Sequence, residues 1–318
     1  MPETATARLT HVVESQQFDR PLLEQVFARA AEMEDVVRRG GSSALKGRVM
    51  ATLFYEPSTR TRLSFEAAML RLGGDVIGTE SAGEFSSVAK GETLEDTVRI
   101  ISGYCDVLVL RHSEVGASRR AALVSSVPVV NAGDGPGQHP TQALLDLYTI
   151  NKELGRVDGL RIAMVGDLAN GRTVRSLSYL LSKFEGVDLT FVAPGAVAMG
   201  RDIKAHLDER GTAWRETEDL DAVLPTVDVV YQTRIQKERF GGRMDEYQRV
   251  SGVYVITPRH LQLMRQDAIL MHPLPRVGEI AEEVDTDPRA AYFRQARNGL
   301  YVRMAVLDML LDGAGEPA

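Results

Sequence analysis

The chain has 318 residues, 44% of them hydrophobic and 25% charged, with a net charge of -7. That composition excludes disordered, fibrous and collagen-like proteins and leaves room for two globular domains of roughly 150 residues each. The acidic balance argues against a nucleic-acid partner, because phosphate backbones are bound by basic faces, so any anionic ligand must be captured by local arginines.

No apolar run approaches the roughly 20 residues of a membrane span, and "MPETATARLTHVVE" lacks the basic and apolar blocks of a secretory signal. The single cysteine, Cys105, rules out an intrachain disulfide framework and a cysteine-rich zinc site. The cytoplasm is therefore the expected compartment, and Cys105, in "GYCDVLVL", reads as core.

In chain order, "RPLLEQVFARAAEMEDVV" places Leu23, Val26, Ala30 and Met33 at helical spacing. The apolar run "GRVMATLFY" reads as a buried strand. Helix and strand then alternate: a helix from about Thr61 to Leu72 with Leu63, Ala67 and Leu70 on one face, a strand at "DVIGT", a helix from Thr93 to Ile101, a strand at "DVLVLR", a helix around Arg119 and a strand at "VPVVNAG". Such alternation predicts a parallel sheet. The turn-rich "AGDGPGQHPTQ" leads into a helix with Pro140 at its first position, where the missing N–H costs nothing. The domain crossing is expected on this helix.

A second series follows: strand "LRIAMVGD", helix from Thr173 to Phe184, strand "DLTFVA", helix near Ile203, strand "VDVVYQT", a polar loop "RIQKERFGGRMDEYQRV" and strand "DAILMHPLP". "AYFRQARNGLYVRMAVLDMLL" closes the chain as an amphipathic helix, with Phe293, Ala296, Leu300, Met304, Leu307 and Leu311 in steps of three and four. No internal repeat or low-complexity segment is evident.

The densest chemistry lies in "EPSTRTRLSFE", where Ser58, Thr59, Arg60 and Thr61 stand at a helix start. Free N–H groups and a partial positive charge at such a start suit an oxyanion. A plain reading, N-capping by Ser58 and a surface pair between Arg62 and Glu66, accounts for one hydroxyl but not for Thr59, Arg60 and Thr61 together. No GxxxxGK[ST] and no GxGxxG occurs, and Gly166 and Gly171 in "VGDLANGRTVRS" have the wrong spacing for a dinucleotide turn. ATP and NAD lose support together.

The ordered strings "STRTRLSFE", "GDGPGQHPTQALLDLYT", "GRTVRSL", "TRIQKER" and "HPLPRVGEI" closely resemble the catalytic chains of aspartate carbamoyltransferases. Ornithine carbamoyltransferases share "STRTR"- and "HPTQ"-like segments, but are expected to carry a cysteine where Pro273 stands and a "DxxxSM" segment; this chain has neither.

The resemblance implies two parallel-sheet α/β domains, a carbamoyl-phosphate domain over residues 1–140 and an aspartate domain over residues 141–292, with the C-terminal helix, residues 293–318, returning to the first. It also implies attack by the α-amino group of L-aspartate on the carbonyl of carbamoyl phosphate, early in pyrimidine biosynthesis, with no cofactor, metal or nucleotide. By the same resemblance Ser58, Thr59, Arg60 and Thr61 hold the phosphate. Arg111, which ends a buried strand, serves phosphate and carbonyl oxygen, and His139, with Thr61 and Arg111, polarises that oxygen. Gln142 and the carbonyls of Pro273 and Leu274 read the carbamoyl amide, with a cis bond expected before Pro275.

Planar guanidinium groups bind carboxylates in bidentate fashion. The resemblance assigns Arg172 and Thr173 to the α-carboxylate of aspartate, and Arg234 and Gln236 to its side-chain carboxylate. It supplies Ser86 and Lys90 from a neighbouring subunit of a homotrimer, Lys90 touching both substrates, alone or within a larger complex with regulatory chains or a dihydroorotase. Without the resemblance, Arg111 reads equally as a strand-edge cap, Arg172 as a first-turn helix residue and the "TRIQKER" and "SSVAK" segments as solvated loops. Ala169, Asn170 and Ala89 depart from the family, which often has a lysine, an aromatic residue and a second lysine there. The rival readings are a carbamoyltransferase for another amino acid, such as ornithine, and a catalytically silent scaffold subunit.

Overall fold

The computed structural model describes residues 9–80, 91–235, 240 and 244–311. It divides into two compact units, Met1–Leu144 with Gly299–Ala318, and Leu145–Asn298.

In the first unit, helix α1 (Arg20–Arg38) starts where the Asp19 side chain accepts the Leu22 N–H at 2.9 Å, and Pro21 sits in the first turn. Strands β1 (Val49–Phe54), β2 (Asp75–Glu80), β3 (Val107–His112) and β4 (Val129–Asp134) form one sheet in the order β2-β1-β3-β4, with every pairing parallel. Helices α2 (Thr59–Arg71), α3 (Leu94–Ile101) and α4 (Ala117–Val124) connect the strands, and Leu53, Leu94, Val98, Leu108, Leu110 and Val129 share one core. Strands β1, β3 and β4 are buried almost throughout because both faces are covered, whereas edge strand β2 is more polar and largely exposed.

Helix α5 (Pro140–Leu154) begins at the proline, as its sequence predicts. The second unit carries β5 (Arg161–Val165), α6 (Arg172–Leu181), β6 (Asp188–Val192), α7 (Arg201–Arg210), β7 (Ala213–Thr217), α8 (Leu220–Val223), β8 (Val229–Gln232), α9 (Met244–Val250), α10 (Pro258–Leu263) and β9 (Ile269–Met271). Its sheet runs β7-β6-β5-β8-β9, again all parallel. Helix α11 (Tyr292–Leu311) follows, and the divisions between units fall inside α5 and α11.

Several local expectations need correction. Leu63 and Leu70 do not face the core of α2: they are 56% and 60% exposed, while Thr61, Phe65, Ala68 and Met69 are buried. That helix is apolar on two sides, so spacing alone chooses the wrong one. Phe293 and Ala296 likewise point outward on α11, and the buried residues of its first half include Tyr292, Gln295 and Asn298. The polar pair lies inside because both side chains are hydrogen-bonded, Gln295 to Asp146 and Asn298 to Thr149.

The "polar loop" after β8 contains α9, whose seven residues show little apolar periodicity. Strand β7, "AWRET", lacks an apolar signal because it is an edge strand with mostly exposed side chains. Cys105 is only partly buried, its Sγ donating to the Ile101 carbonyl at 3.3 Å.

Candidate active site

In a parallel sheet, ligands bind beyond the carboxyl ends of the strands, where the strand order reverses. The first unit reverses between β1 and β3 and the second between β5 and β8. Ser58–Thr61 and Arg111 flank the first point and Arg172, Thr173 and Arg234 the second, whereas His139 and Gln142 follow β4 and Pro273–Pro275 follow β9.

After β1, Pro57 ends the extended run and Ser58 takes the N-cap position of α2 at φ -160°, ψ 87°. Its side chain makes no capping hydrogen bond, so the plain capping role is not filled by its hydroxyl. Thr61 is 8% exposed, and Thr59 and Arg60 are exposed. Arg62 does pair with Glu66, at 2.7 Å, as the plain reading expects.

Arg111, on β3 and buried, reaches across the strand ends. Its Nε donates to the Glu56 carbonyl at 3.2 Å, Nη1 to the Ala132 carbonyl at 3.1 Å, and Nη2 lies 2.8 Å from Glu56 Oε2. One guanidinium thus ties the turn before Ser58 to β4, which leads into the loop before His139. Asp134 shapes that loop, accepting the Gly116 N–H at 2.8 Å and the Gln138 N–H at 2.6 Å. Gly135 is required there: at φ +50° a Cβ would lie 2.1 Å from the Ser113 carbonyl oxygen. His139 is 4% exposed, its carbonyl accepts from the Gln142 and Ala143 N–H groups at the start of α5, and Gln142 is half-buried.

In the second unit, β5 passes into Gly166, at φ +111°, and the buried Asp167, which accepts three bonds from Asn170, at 3.0 Å from its backbone and 3.1 and 3.2 Å from its amide. Asn170, one of the departures from the family pattern, therefore has a local structural job. Gly171 caps α6, whose first residues, Arg172 and Thr173, are half-buried. Arg234, just beyond β8, lines a cleft of about 200 Å³ with Gly166, Thr233, Tyr247, Tyr254 and Glu279. This arrangement suits a small ligand with a carboxylate.

The loop Pro273, Leu274, Pro275 follows β9. Its Leu274–Pro275 bond is cis, and Leu274 is at φ 49°. The Leu274 N–H donates to His272 Nδ1 at 2.8 Å, so that nitrogen is an acceptor and Nε2 carries the hydrogen, which it directs at Glu279 Oε1, also 2.8 Å away. Glu279 Oε2 accepts the Val277 N–H at 2.9 Å. Burial pushes the Glu279 carboxyl up, but the bonds from His272 and backbone N–H groups outweigh it and hold the group below the usual carboxylate range. Two prolines without N–H groups leave this loop, held through the Leu274 N–H, richer in acceptors than in donors.

Ser86, Lys90 and Gln236, together with Ala89, lie outside the described residues. Sequence reasoning missed Glu56, His272 and Glu279. His272 opens the "HPLP" string and Glu56 precedes Pro57, but nothing in the spacing couples either to its partner.

Among the described residues no helix is long and apolar enough to cross a membrane. The fold and site define a parallel α/β protein whose strand ends are furnished with hydroxyl and guanidinium groups for small anions. Family models named "Aspartate/ornithine carbamoyltransferase, carbamoyl-P binding domain" and "Aspartate/ornithine carbamoyltransferase, Asp/Orn binding domain" match residues 10–152 and 158–310. The chain belongs to this family of carbamoyltransferases. It is 58% identical to the chloroplastic aspartate carbamoyltransferase of Oryza sativa subsp. japonica, over 97% of this chain and 87% of that protein. Among solved structures, the catalytic subunit of M. jannaschii aspartate transcarbamoylase is 48% identical with a TM-score of 0.90, over 97% of this chain and all of that one. Aspartate transcarbamoylase from Trypanosoma cruzi, solved in complex with N-(phosphonacetyl)-L-aspartic acid, is 42% identical with a TM-score of 0.90, over 96% of this chain and 97% of that one.

Proposed function

We propose that this chain transfers the carbamoyl group of carbamoyl phosphate to the α-amino group of L-aspartate, giving N-carbamoyl-L-aspartate and phosphate, an early step of pyrimidine (UMP) biosynthesis. The observation that carries this reading is the near full-length identity to an aspartate carbamoyltransferase. Ser58, Thr59, Arg60 and Thr61 take the phosphate, as suits a helix start with an uncommitted cap hydroxyl. Arg111 and His139, with Thr61, stabilise the oxygen as the amine attacks the carbamoyl carbon and the bond to phosphate breaks. Gln142 and the Pro273 and Leu274 carbonyls orient the carbamoyl NH2. Arg172 and Thr173 take the α-carboxylate, and Arg234 and Gln236 the side-chain carboxylate. A guanidinium in the last place repels the cationic side chain of ornithine.

The working unit is a homotrimer in which Ser86 and Lys90 complete a neighbour's site. Support comes from apolar surface in the first unit: Leu63 and Leu70, seven residues apart on α2, and Ile77 on edge strand β2 are all exposed.

The test is a carbamoylation assay with aspartate and ornithine in parallel, joined to calorimetry with a bisubstrate mimic bearing a phosphonate and two carboxylates. Carbamoyl aspartate should form, and Arg234→Ala should chiefly weaken aspartate binding. Faster carbamoylation of ornithine, or a loss of carbamoyl phosphate affinity in Arg234→Ala, would overturn the assignment.

A further inference from the structure

The second unit holds a buried polar chain that none of the assigned roles uses. Asp146, on α5, is fully buried, and its two carboxylate oxygens accept from different elements. Oδ2 takes the Tyr231 hydroxyl of β8 at 2.6 Å, and Oδ1 takes the Gln295 amide of α11 at 2.6 Å. The other end of Gln295 accepts the His272 backbone N–H at 2.9 Å, where β9 turns into the proline loop. The Thr173 side chain, at the start of α6, neighbours the Tyr231 hydroxyl and favours its ionised form, against the larger opposing effects of burial and Asp146.

Donor and acceptor assignments agree along the whole chain. A carboxylate only accepts, so Tyr231 and the Gln295 NH2 must donate, and the Gln295 oxygen is left to face a backbone N–H. A buried network satisfied in this way has one low-energy arrangement and fixes the groups at its ends. Those ends are Thr173 and the segment leading into Pro273 and Leu274.

We infer that Asp146, with Tyr231 and Gln295, is a positioning residue that holds both ligand-reading segments of the second unit in register from behind. The Tyr231 arm sets Thr173 for aspartate, and the Gln295 arm sets the His272–Leu274 backbone for the carbamoyl group. This rests on the functional reading above for the roles of the two ends. Removing one arm therefore affects one substrate, and disturbing the hub affects both.

The experiment measures KM for each substrate, with the melting temperature, for three variants of the full-length protein in its native assembly. Tyr231→Phe should raise the aspartate KM about tenfold, the loss of one buried hydrogen bond, and leave that for carbamoyl phosphate within about twofold. Gln295→Met should do the reverse by a similar factor, and Asp146→Asn should raise both. Variants that melt earlier with both KM values unchanged would overturn the inference, because a purely structural network does not sort its effects by substrate. Thr173→Val is the control on the underlying reading: if it leaves the aspartate KM unchanged, that reading has failed, whereas if it raises the value and Tyr231→Phe does not, only the present inference has. If a variant cannot be folded, hydrogen exchange in the unaltered protein decides between them. The His272 amide should exchange as slowly as those of β9, and exchange at a loop-like rate overturns the inference.

Discussion

Gly166→Ala should uncouple aspartate binding from carbamoyl phosphate binding. Gly166 follows β5 at φ +111°, a conformation that side-chain-bearing residues rarely adopt, and forcing alanine into it costs about 1–3 kcal/mol. A Cβ there would lie 2.5 Å from the Thr233 carbonyl oxygen and 2.7 Å from its hydroxyl, about 0.9 Å short of an ordinary 3.4 Å contact. Rotating a side chain cannot relieve a clash with a backbone oxygen. Nor does Thr233 yield easily, because both its N–H and its hydroxyl donate to the Val165 carbonyl at 2.8 Å. The displacement therefore passes to Arg234, the next residue. A misplacement of roughly 1 Å in a positioning group costs up to about a hundredfold in kcat/KM. Steady-state kinetics with each substrate varied in turn measures the effect, which should fall on aspartate while carbamoyl phosphate affinity holds within about threefold, the range left for indirect effects. Equal losses for both substrates, or none, would show that Arg234 is not what the glycine protects.

His139→Ala should keep the fold and lower turnover roughly a hundredfold, the loss expected for one oxyanion donor, and unchanged kcat would remove His139 from that role. Glu279 titrates below its ordinary value of 4.5 in the folded chain, so its contribution to stability is present above that value and lost as pH falls through the lower, folded one. Thermal unfolding of Glu279→Gln should accordingly fall less steeply than wild type below about pH 4.5, and parallel curves would refute the linkage. Burial raises the Cys105 thiol to about 11, aided by the neighbouring Asp106 charge. At pH 8 only about one molecule in a thousand is thiolate, so iodoacetamide should label the native chain slowly and the unfolded chain fast; rapid native labelling would contradict the raised thiol value.

Local patterns in the sequence carried much of the architecture. Alternating apolar runs and helical spacings implied two parallel α/β series, and Pro140 marked the start of α5, because strand burial and helix starts are short-range consequences of residue type. Donor-rich strings such as "STRTR" and "GRT" were legible as anion-binding for the same reason: a helix terminus and its hydroxyls lie within a few residues of each other.

Tertiary structure decided what depends on partners distant in sequence. Leu63 and Leu70 lie on the outer face of α2 because Phe65 and Met69 already fill the inner one, a choice that spacing leaves open. Gln295 and Asn298 are buried on a helix whose apolar stripe predicts a different buried face, because Asp146 and Thr149, each 149 positions earlier, satisfy them. Likewise, Arg111 becomes a brace between two loops only when β1, β3 and β4 align their carboxyl ends. A hydrogen bond requires two groups at about 3 Å, and for groups far apart along the chain that proximity is a property of the folded packing.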